Sequence, residues 1–314
     1  MRHFIVFPIL FVAGAFSALA SVDSGLLSLV PAGAKIVGSV DVTKARNSDF
    51  GQYLLNKVQN EDTHFQQMID QTGFDPRRDL QSILFVTGGP GTAGSPSSFA
   101  ILARGNFDVD RITALATGKG ATTQTYSGVT MIVHSAGKGQ QTAVAFPEVG
   151  VAVMADVTSL KQVIDGLTTP TVLDAGLTSK INSIGSVNDA WFVSLVGGGF
   201  LADHAGPNGA PQAKALQGVV QSSGGVKLGA TIDTTFDAVA RSAQDATSLS
   251  DVIRFMASMV QMQRQNDPRA GIIASALDGM TLQSSGSNVH FAVSMPEKSL
   301  EQLAEAAGPH GAAH

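Results

Sequence analysis

The chain has 314 residues, a net charge of −5 and no cysteine, and 44% of its residues are hydrophobic. A chain of this length can bury most of its apolar surface, but without cysteine neither disulfides nor thiolate metal sites can stabilise it. No segment of the sequence concentrates Lys and Arg. This argues against nucleic acid or an anionic membrane surface as a partner, since both attract clustered positive charge.

The first twenty residues have the pattern of a secretory leader. Arg2 precedes an apolar run over Phe4–Phe16, and Ala18-Leu19-Ala20 stands before Ser21. The run has 13 residues, short of the roughly 20 that span a bilayer, so a cleaved signal peptide is favoured over the alternative of an uncleaved anchor. We expect a protein exported to the periplasm or the extracellular space, with no membrane span in the mature chain 21–314.

From residue 35 to residue 104 the pattern predicts a strand, two helices, a capped turn and an antiparallel hairpin. The first strand is Lys35–Val42, and Ser48-Asp49 caps the helix that follows it. The second helix carries Phe65, Met68 and Ile69 and ends at Gly73, and the capped turn has Asp75 as its cap and Pro76 at its first position. The hairpin consists of strands Ile83–Thr87 and Phe99–Arg104, which the loop Gly88–Ser98 joins.

From residue 108 to residue 167 we expect a helix, a meander of four strands and a second helix. Asp108 caps the first helix, which runs through Leu115, and Asp156 caps the second, which runs to Leu167. The four strands lie near Thr122–Tyr126, Val129–His134, Thr142–Phe146 and Val151–Met154.

The remaining chain repeats this mixture after a polar connection over 168–188. The predicted strands are Trp191–Val196, Val226–Ile232, Phe236–Arg241, Thr281–Gln283 and Val289–Met295, and the predicted helices are Ala213–Val220, a long helix capped by Ser242 and a last helix over Glu297–Ala307. The long helix is the best defined, because apolar residues from Ala246 to Val260 recur along one of its faces.

These elements predict an α+β fold in which helices cover one face of antiparallel sheet segments. The expected organisation is a signal peptide 1–20, an N-terminal half 21–167, the connection 168–188, a C-terminal half 189–307 and a tail 308–314.

A further hypothesis is that the halves are related β-α-β-β-α units that arose by duplication. Arg104 and Arg241 each end a strand, and Ser159-Leu160-Lys161-Gln162 resembles Ser299-Leu300-Glu301-Gln302. Chance similarity is the alternative, since this element order is common.

Two motifs that can carry chemistry lack the context that the chemistry needs. Gly89–Gly94 matches the G-x-G-x-x-G string of dinucleotide sites, but a strand follows it where a phosphate site requires a helix N-terminus. Ser194 with Asp203-His204 supplies the residue types of a catalytic triad, but sequence proximity does not create triad geometry. We interpret the glycines as a hairpin tip and His204 as a solvated loop residue.

The histidines, the last glutamates and a group of methionines also have simple structural interpretations. His310 and His314 lie in a Gly- and Pro-containing tail that cannot form a two-histidine zinc site, and His134 and His290 are interpreted as structural strand residues. Glu297, Glu301 and Glu305 share a helix face that we interpret as solvated. Met256, Met259 and Met262 are interpreted as core packing, in preference to the lining of an apolar pocket.

Three segments resemble uncharacterised secreted bacterial proteins of unknown function. They are Phe74-Asp75-Pro76-Arg77-Arg78-Asp79-Leu80 before a strand, Ala103-Arg104-Gly105-Asn106-Phe107-Asp108 before a helix, and Ser242-Ala243-Gln244-Asp245-Ala246. The resemblance extends loosely over much of the mature chain, and its motifs are helix caps and strand ends. It implies the architecture and brings no activity, cofactor or catalytic residue.

The sequence therefore predicts no catalytic, cofactor-binding or metal-binding residue and no cofactor. We expect a non-catalytic binding or interaction module whose partner is a protein or an apolar small molecule held between sheet and helices. The alternative is a metal-independent extracytoplasmic hydrolase whose catalytic residues lie far apart in the sequence.

Overall fold

One antiparallel sheet of twelve strands runs through the residues described by the computed structural model, which are 22–61, 63–88, 98–135, 141–169, 171–198 and 211–306. The strands are β1 Ile36–Asp41, β2 Leu80–Thr87, β3 Phe99–Gly105, β4 Thr122–Tyr126, β5 Val129–Ser135, β6 Gln141–Glu148, β7 Val151–Asp156, β8 Ala190–Ser194, β9 Val219–Leu228, β10 Thr231–Ala240, β11 Thr281–Ser285 and β12 Asn288–Pro296.

Twelve helices accompany the sheet in this part of the chain, so the α+β class is confirmed. They are α1 Ser24–Ser28, α2 Val42–Asn47, α3 Asp49–Glu61, α4 Thr63–Thr72, α5 Pro76–Asp79, α6 Val109–Gly118, α7 Val157–Gly166, α8 Ala175–Gly185, α9 Pro211–Gln217, α10 Ala243–Met262, α11 Pro268–Leu277 and α12 Glu297–Ala306. None of these helices is long and apolar enough to cross a membrane.

Short polar side chains fix where the helices begin, because each accepts a hydrogen bond from a backbone N–H that the first turn leaves unpaired. The caps predicted at Asp75, Asp108, Asp156 and Ser242 are all present. Gly73, which follows α4, has a φ of +74°. This left-handed conformation suits glycine and ends the helix.

The N-terminal strands form one side of the sheet and the C-terminal strands the other. The order is β11-β12-β10-β9-β8-β1-β2-β3-β7-β6-β5-β4. Strands β1 and β8 meet in the middle as an antiparallel pair in which Gly38 lies opposite Phe192. The two predicted halves therefore share a continuous sheet.

Two different faces of this sheet are covered by helices. On the face that carries Val37, Leu84 and Leu102, here called the front face, α1, α7 and α8 bury the core of the N-terminal half. On the opposite, back face, α9 and α10 pack on Phe236 and Ala238, and α3 and α12 pack on a cluster from β9 and β10. Within each half, helices cover one face of the sheet segment, as the sequence predicts, but the two halves bury opposite faces of the shared sheet.

Three other predictions need correction. The predicted strand Val226–Ile232 contains the turn at Gly229-Ala230, which joins two long strands, β9 and β10. The connection 168–188 contains helix α8, whose Leu177 and Ile181 are fully buried in the core. The helix predicted over Ala213–Val220 ends at Gln217, and Val219 already belongs to β9.

The duplication hypothesis stays a prediction. The two halves share the outward order β1-β2-β3-β7 and β8-β9-β10-β12. However, α7 and α12, which carry the similar Ser-Leu segments, pack on opposite faces of the sheet.

Candidate binding surface

An apolar area on the back face of the N-terminal half is not covered by helices. Strand β2 carries buried Leu84 and Val86 toward the front, while Phe85 on the back is 45% exposed. Phe99 of β3 and Met154 of β7 are 37% and 38% exposed. Strands with apolar residues on both faces are typical of sheets that are covered on both sides, yet here one side is open.

The exposed side chains stand next to one another because the strand register aligns them. Phe85 lies opposite Ile101, Ile101 opposite Met154, and Met154 opposite Val144. Residues opposite each other in adjacent strands share a face of the sheet. We call Phe85, Phe99, Ile101, Val144 and Met154 the open apolar surface.

Close packing between Phe85 and the middle of the sheet depends on a glycine. A Cβ atom at Gly38 would lie 2.7 Å from Cε1 of Phe85, well inside van der Waals contact. The Phe85 ring therefore lies over bare backbone of β1, in the gap that the missing side chain leaves.

Aromatic rings stand beside this surface where strands β3 and β6 end. Phe74, which precedes α5, stacks on Phe107 with ring centroids 5.1 Å apart, and Phe107 lies 5.6 Å from Phe146 of β6. Together with the open apolar surface they continue the apolar character along the back face of the sheet.

The front face of the C-terminal half is also exposed, but its side chains are polar. His290 Nδ1 lies 2.8 Å from Asp237 Oδ1, and Ser294 donates a hydrogen bond of 2.6 Å to Asp233. Gln283 lies opposite His290 on the edge strand β11. Polar residues on one side and apolar on the other are what a half-covered antiparallel sheet normally shows, so this polar area needs no partner.

A small polar cavity lies on the front face where the two halves meet. Its volume is about 30 Å³, and it is lined by Asp23, Ser39, Asp41, Ser82, Gly185, Asn188, Asp189 and Trp191. This volume holds about two water molecules, so the cavity is too small for an organic substrate. Its carboxylates are engaged with cations of the protein.

One carboxylate of the cavity is bound by an arginine of β3. Arg104 Nε lies 2.6 Å from Asp23 Oδ2, and its Nη2 lies 3.1 Å from Oδ1. Burial alone would raise the pKa of the Asp23 carboxyl, but the hydrogen bonds from Arg104 and the N–H of Leu26 lower it below its ordinary value. Asp23 thus joins the start of α1 to the sheet as a charged group.

The other two carboxylates face a lysine whose ammonium nitrogen is buried. Lys44 Nζ lies 3.2 Å from Asp41 and 3.7 Å from Asp189, and it makes no well-directed hydrogen bond. Burial raises the pKa of Asp189, although the N–H of Leu228 and the charge of Lys44 act in the other direction. In the described part of the chain, no group of three His, Cys, Asp or Glu residues could hold a metal ion.

The structure places several residues that the sequence analysis discussed. Ser194 is buried, and its hydroxyl donates to the carbonyl of Val196. His134 is exposed, and His290 is paired with Asp237, as its structural interpretation predicts. Among the described residues, no hydroxyl bonds to either histidine. The motif Gly89–Gly94, His204, His310 and His314 lie outside these residues.

Two interpretations are wrong. Glu297 is 7% exposed, and its Oε1 accepts a hydrogen bond of 2.5 Å from the N–H of Phe50, so it does not belong to a solvated face. Met256, Met259 and Met262 are 53%, 41% and 72% exposed, so they are not core residues. Met259 and Met262 are turned away from Ala246 and Leu249, which belong to the buried side of the helix. Met256 follows Leu249 by seven residues and lies on the same side, but it is exposed because it stands farther along the helix.

Sequence reasoning missed the open apolar surface and the polar cavity. A local pattern does indicate a second apolar face on β2 and β3. Apolar residues occupy the positions that alternate with the buried ones, namely Ile83, Phe85, Phe99 and Ile101. No local signal connects Asp23, Asp41, Lys44, Arg104 and Asp189, because long-range pairing brings them together.

Comparison with known proteins gives no further assignment. The chain matches no family model, no curated protein and no solved structure.

Proposed function

We propose that the chain is an exported, non-catalytic binding module whose open apolar surface binds an amphipathic α-helix of a protein partner. The observation that carries the proposal is the exposure of Phe85, Phe99 and Met154 on strands whose other face is fully buried. Burying such side chains is favourable by about 25 cal/mol per Å² of apolar area. A partner that covers them therefore gains free energy from contact with this surface.

The packing of this protein supports a helix as the occupant. The N-terminal half buries its front face under α1, α7 and α8, and the C-terminal half buries its back face under helices as well. From Phe85 to Val144 the apolar row crosses four strands, roughly 14 Å at the usual strand spacing. This equals the length of a helix of about nine or ten residues.

The absence of charge from the surface determines the chemistry of that helix. Its five residues are all apolar, so a charged group of the partner would lose its hydration there without compensation. We expect the bound side of the helix to present Leu, Ile, Met or Phe at positions i, i+3, i+4 and i+7.

Export is the part of the proposal that rests on the sequence of residues 1–20. Arg2, the apolar run and Ala18-Leu19-Ala20 support cleavage before Ser21. Mass spectrometry of the protein isolated from its host should find Ser21 as the first residue. A protein that retains residues 1–20 contradicts this part and leaves the binding proposal to its own test.

The binding proposal is tested by photo-crosslinking. A benzophenone amino acid is placed at position 85 of the full chain in the host, and a second protein carries it at position 281 on the polar edge strand as control. We expect position 85 to give a protein adduct and position 281 none. The adduct must map to an amphipathic helical segment, and a synthetic peptide of that segment must bind the purified protein one to one.

Two substitutions then connect the binding to the surface. Phe85→Ser with Met154→Ser should weaken peptide binding roughly tenfold or more, as loss of central apolar contacts does. Val149→Ser is the matched control, because Val149 is fully exposed in a turn outside the surface. An adduct with a small molecule, with another part of the same chain or with nothing contradicts the proposal, and so does binding that the double substitution leaves unchanged.

A further inference from the structure

The wall of the polar cavity contains an indole N–H group that has no acceptor in the described part of the chain. Trp191 of β8 lines this cavity and is only 6% exposed, yet its Nε1–H donates no hydrogen bond to a described residue. The nitrogen edge of the ring lies beside Gly185, another residue of the wall, since a Cβ atom on Gly185 would lie 3.1 Å from Nε1. A buried indole N–H normally has a hydrogen-bond partner. This one therefore indicates an acceptor within the cavity.

Two oxygen atoms of the same wall can still form hydrogen bonds. Asp189 accepts the N–H of Leu228 at Oδ2, whereas its Oδ1 accepts no hydrogen bond from the described residues and lies 3.7 Å from Lys44 Nζ. Ser39 lies opposite Trp191 in the β1–β8 pair, and its hydroxyl makes no hydrogen bond with the described residues either. One donor and two acceptors of the cavity thus have no partner among these residues.

Size and charge restrict what can lie between these groups. The volume of about 30 Å³ admits water but no organic solute. The carboxylates of Asp23, Asp41 and Asp189 repel an anion. A metal cation would lie beside the positive charges of Arg104 and Lys44, which already pair with these carboxylates, and it would face an indole nitrogen that can only donate. Water satisfies all three groups, because it both accepts and donates hydrogen bonds.

We propose that the polar cavity binds a structural water molecule, which accepts a hydrogen bond from Trp191 Nε1 and donates to Asp189 and Ser39. Three partners fall within the range of about two to four that holds a buried water in place. Ser39 belongs to the N-terminal half, and Asp189 and Trp191 belong to the C-terminal half. The water therefore joins the two halves where β1 and β8 pair.

The single tryptophan of the chain allows a direct test. In the purified protein with isotope-labelled tryptophan, the indole proton of Trp191 gives one signal that needs no assignment. We expect a cross peak between this proton and water in both NOESY and ROESY spectra. The peak should change sign relative to the diagonal between the two spectra, as a bound water gives and proton exchange does not. The cavity is on the front face and the open apolar surface on the back, so this proposal and the binding proposal can fail separately.

Three substitutions separate water from other sources of the cross peak. Ser39→Val adds a methyl group to the cavity and removes one partner, so the peak should be lost. Ser39→Ala removes the hydroxyl but keeps the space, so the peak should persist. Thr125→Val also exchanges a hydroxyl for a methyl group, but on the edge strand β4 far from the cavity, and it should change nothing. Circular dichroism confirms that the variants are folded.

Four results would overturn the proposal. The first is the absence of the cross peak from the unmodified protein, which needs no variant. The second is a peak that Ser39→Val leaves at full intensity. The third is a peak that Ser39→Ala abolishes, because the hydroxyl proton of Ser39 and not water would then have produced it. The fourth is a peak that disappears when choline replaces sodium and potassium in the buffer, because the cavity would then depend on a metal cation.

Discussion

Glu297 shows how one buried carboxylate joins distant parts of the chain. It opens α12, and it accepts the hydrogen bond of the N–H of Phe50 in α3, 247 residues away in sequence. The N–H of a helix start is otherwise unpaired, so this contact satisfies a buried donor. Glu305 lies on the same helix but is exposed, which makes it a matched control.

Replacing Glu297 with Ala should lower the free energy of unfolding by roughly 1–3 kcal/mol, because it leaves the N–H of Phe50 buried without an acceptor. Glu297→Gln keeps an acceptor oxygen and should lose less. Glu305→Ala should change the value by less than about 0.5 kcal/mol, as exposed substitutions do. Urea unfolding measures all three, and equal losses for Glu297→Ala and Glu305→Ala would exclude this role.

Two aspartates should give the stability of the protein opposite pH dependences. The hydrogen bonds from Arg78 hold the pKa of Asp79 below its unfolded value of 3.8, so Asp79 stabilises the fold above about pH 3.8 and loses this effect as the pH falls through its folded pKa. Burial raises the pKa of Asp189 above 3.8. Its carboxylate is therefore unfavourable in the fold at higher pH, and this cost disappears as the pH falls toward 3.8.

Urea unfolding of Asp79→Asn and Asp189→Asn at several pH values tests both signs. The stability advantage of the unmodified protein over Asp79→Asn should shrink below about pH 3.8. The stability of the unmodified protein relative to that of the Asp189→Asn variant should instead rise as the pH is lowered from neutrality toward 3.8. The same trend for both variants would show that one of the two assignments is wrong.

At the scale of elements, helices α2 and α3 meet at a contact that admits no side chain. A Cβ atom at Gly51 would lie 1.8 Å from the carbonyl oxygen of Ala45, and a backbone atom cannot move away as a flexible side chain can. Gly51→Ala should therefore destabilise the protein by roughly 2–3 kcal/mol.

Gly118, at the end of α6, has no atom within 4 Å of its Cβ position. Gly118→Ala is the matched control, and it should stabilise by up to about 1 kcal/mol because alanine favours the helix. Thermal unfolding of both variants measures the difference. A tolerated Gly51→Ala would mean that α2 and α3 are not packed as described.

Elements could be predicted where local chemistry defines both ends. The capped helices after Asp108, Asp156 and Ser242 were predicted correctly because a cap and an apolar period occur together there. Helix α11 was missed although Asp267-Pro268 starts it with the same pair of residues as Asp75-Pro76. The boundary between β9 and β10 was missed because apolar residues continue on both sides of the turn.

The whole molecule depends on pairings that no local pattern contains. The β1–β8 pair unites the two halves into one sheet. Its register determines which side chains of the N-terminal strands share a face of the sheet with which side chains of the C-terminal strands. The polar cavity follows from this pairing, since Asp41 and Asp189 come from strand ends that meet there. The open apolar surface was partly predictable from the two-sided apolar pattern of β2 and β3, but its exposure depends on where the distant helices pack.

The central claim is that the back face of β2, β3 and β7 is open to a partner. Hydroxyl-radical footprinting of the purified protein measures this side chain by side chain. We expect Phe85, Phe99 and Met154 to be labelled several-fold faster than Leu84 and Leu102, which lie on the front face of the same sheet and are fully buried. Equal protection of both groups would show that the chain itself covers this face, and it would contradict the account.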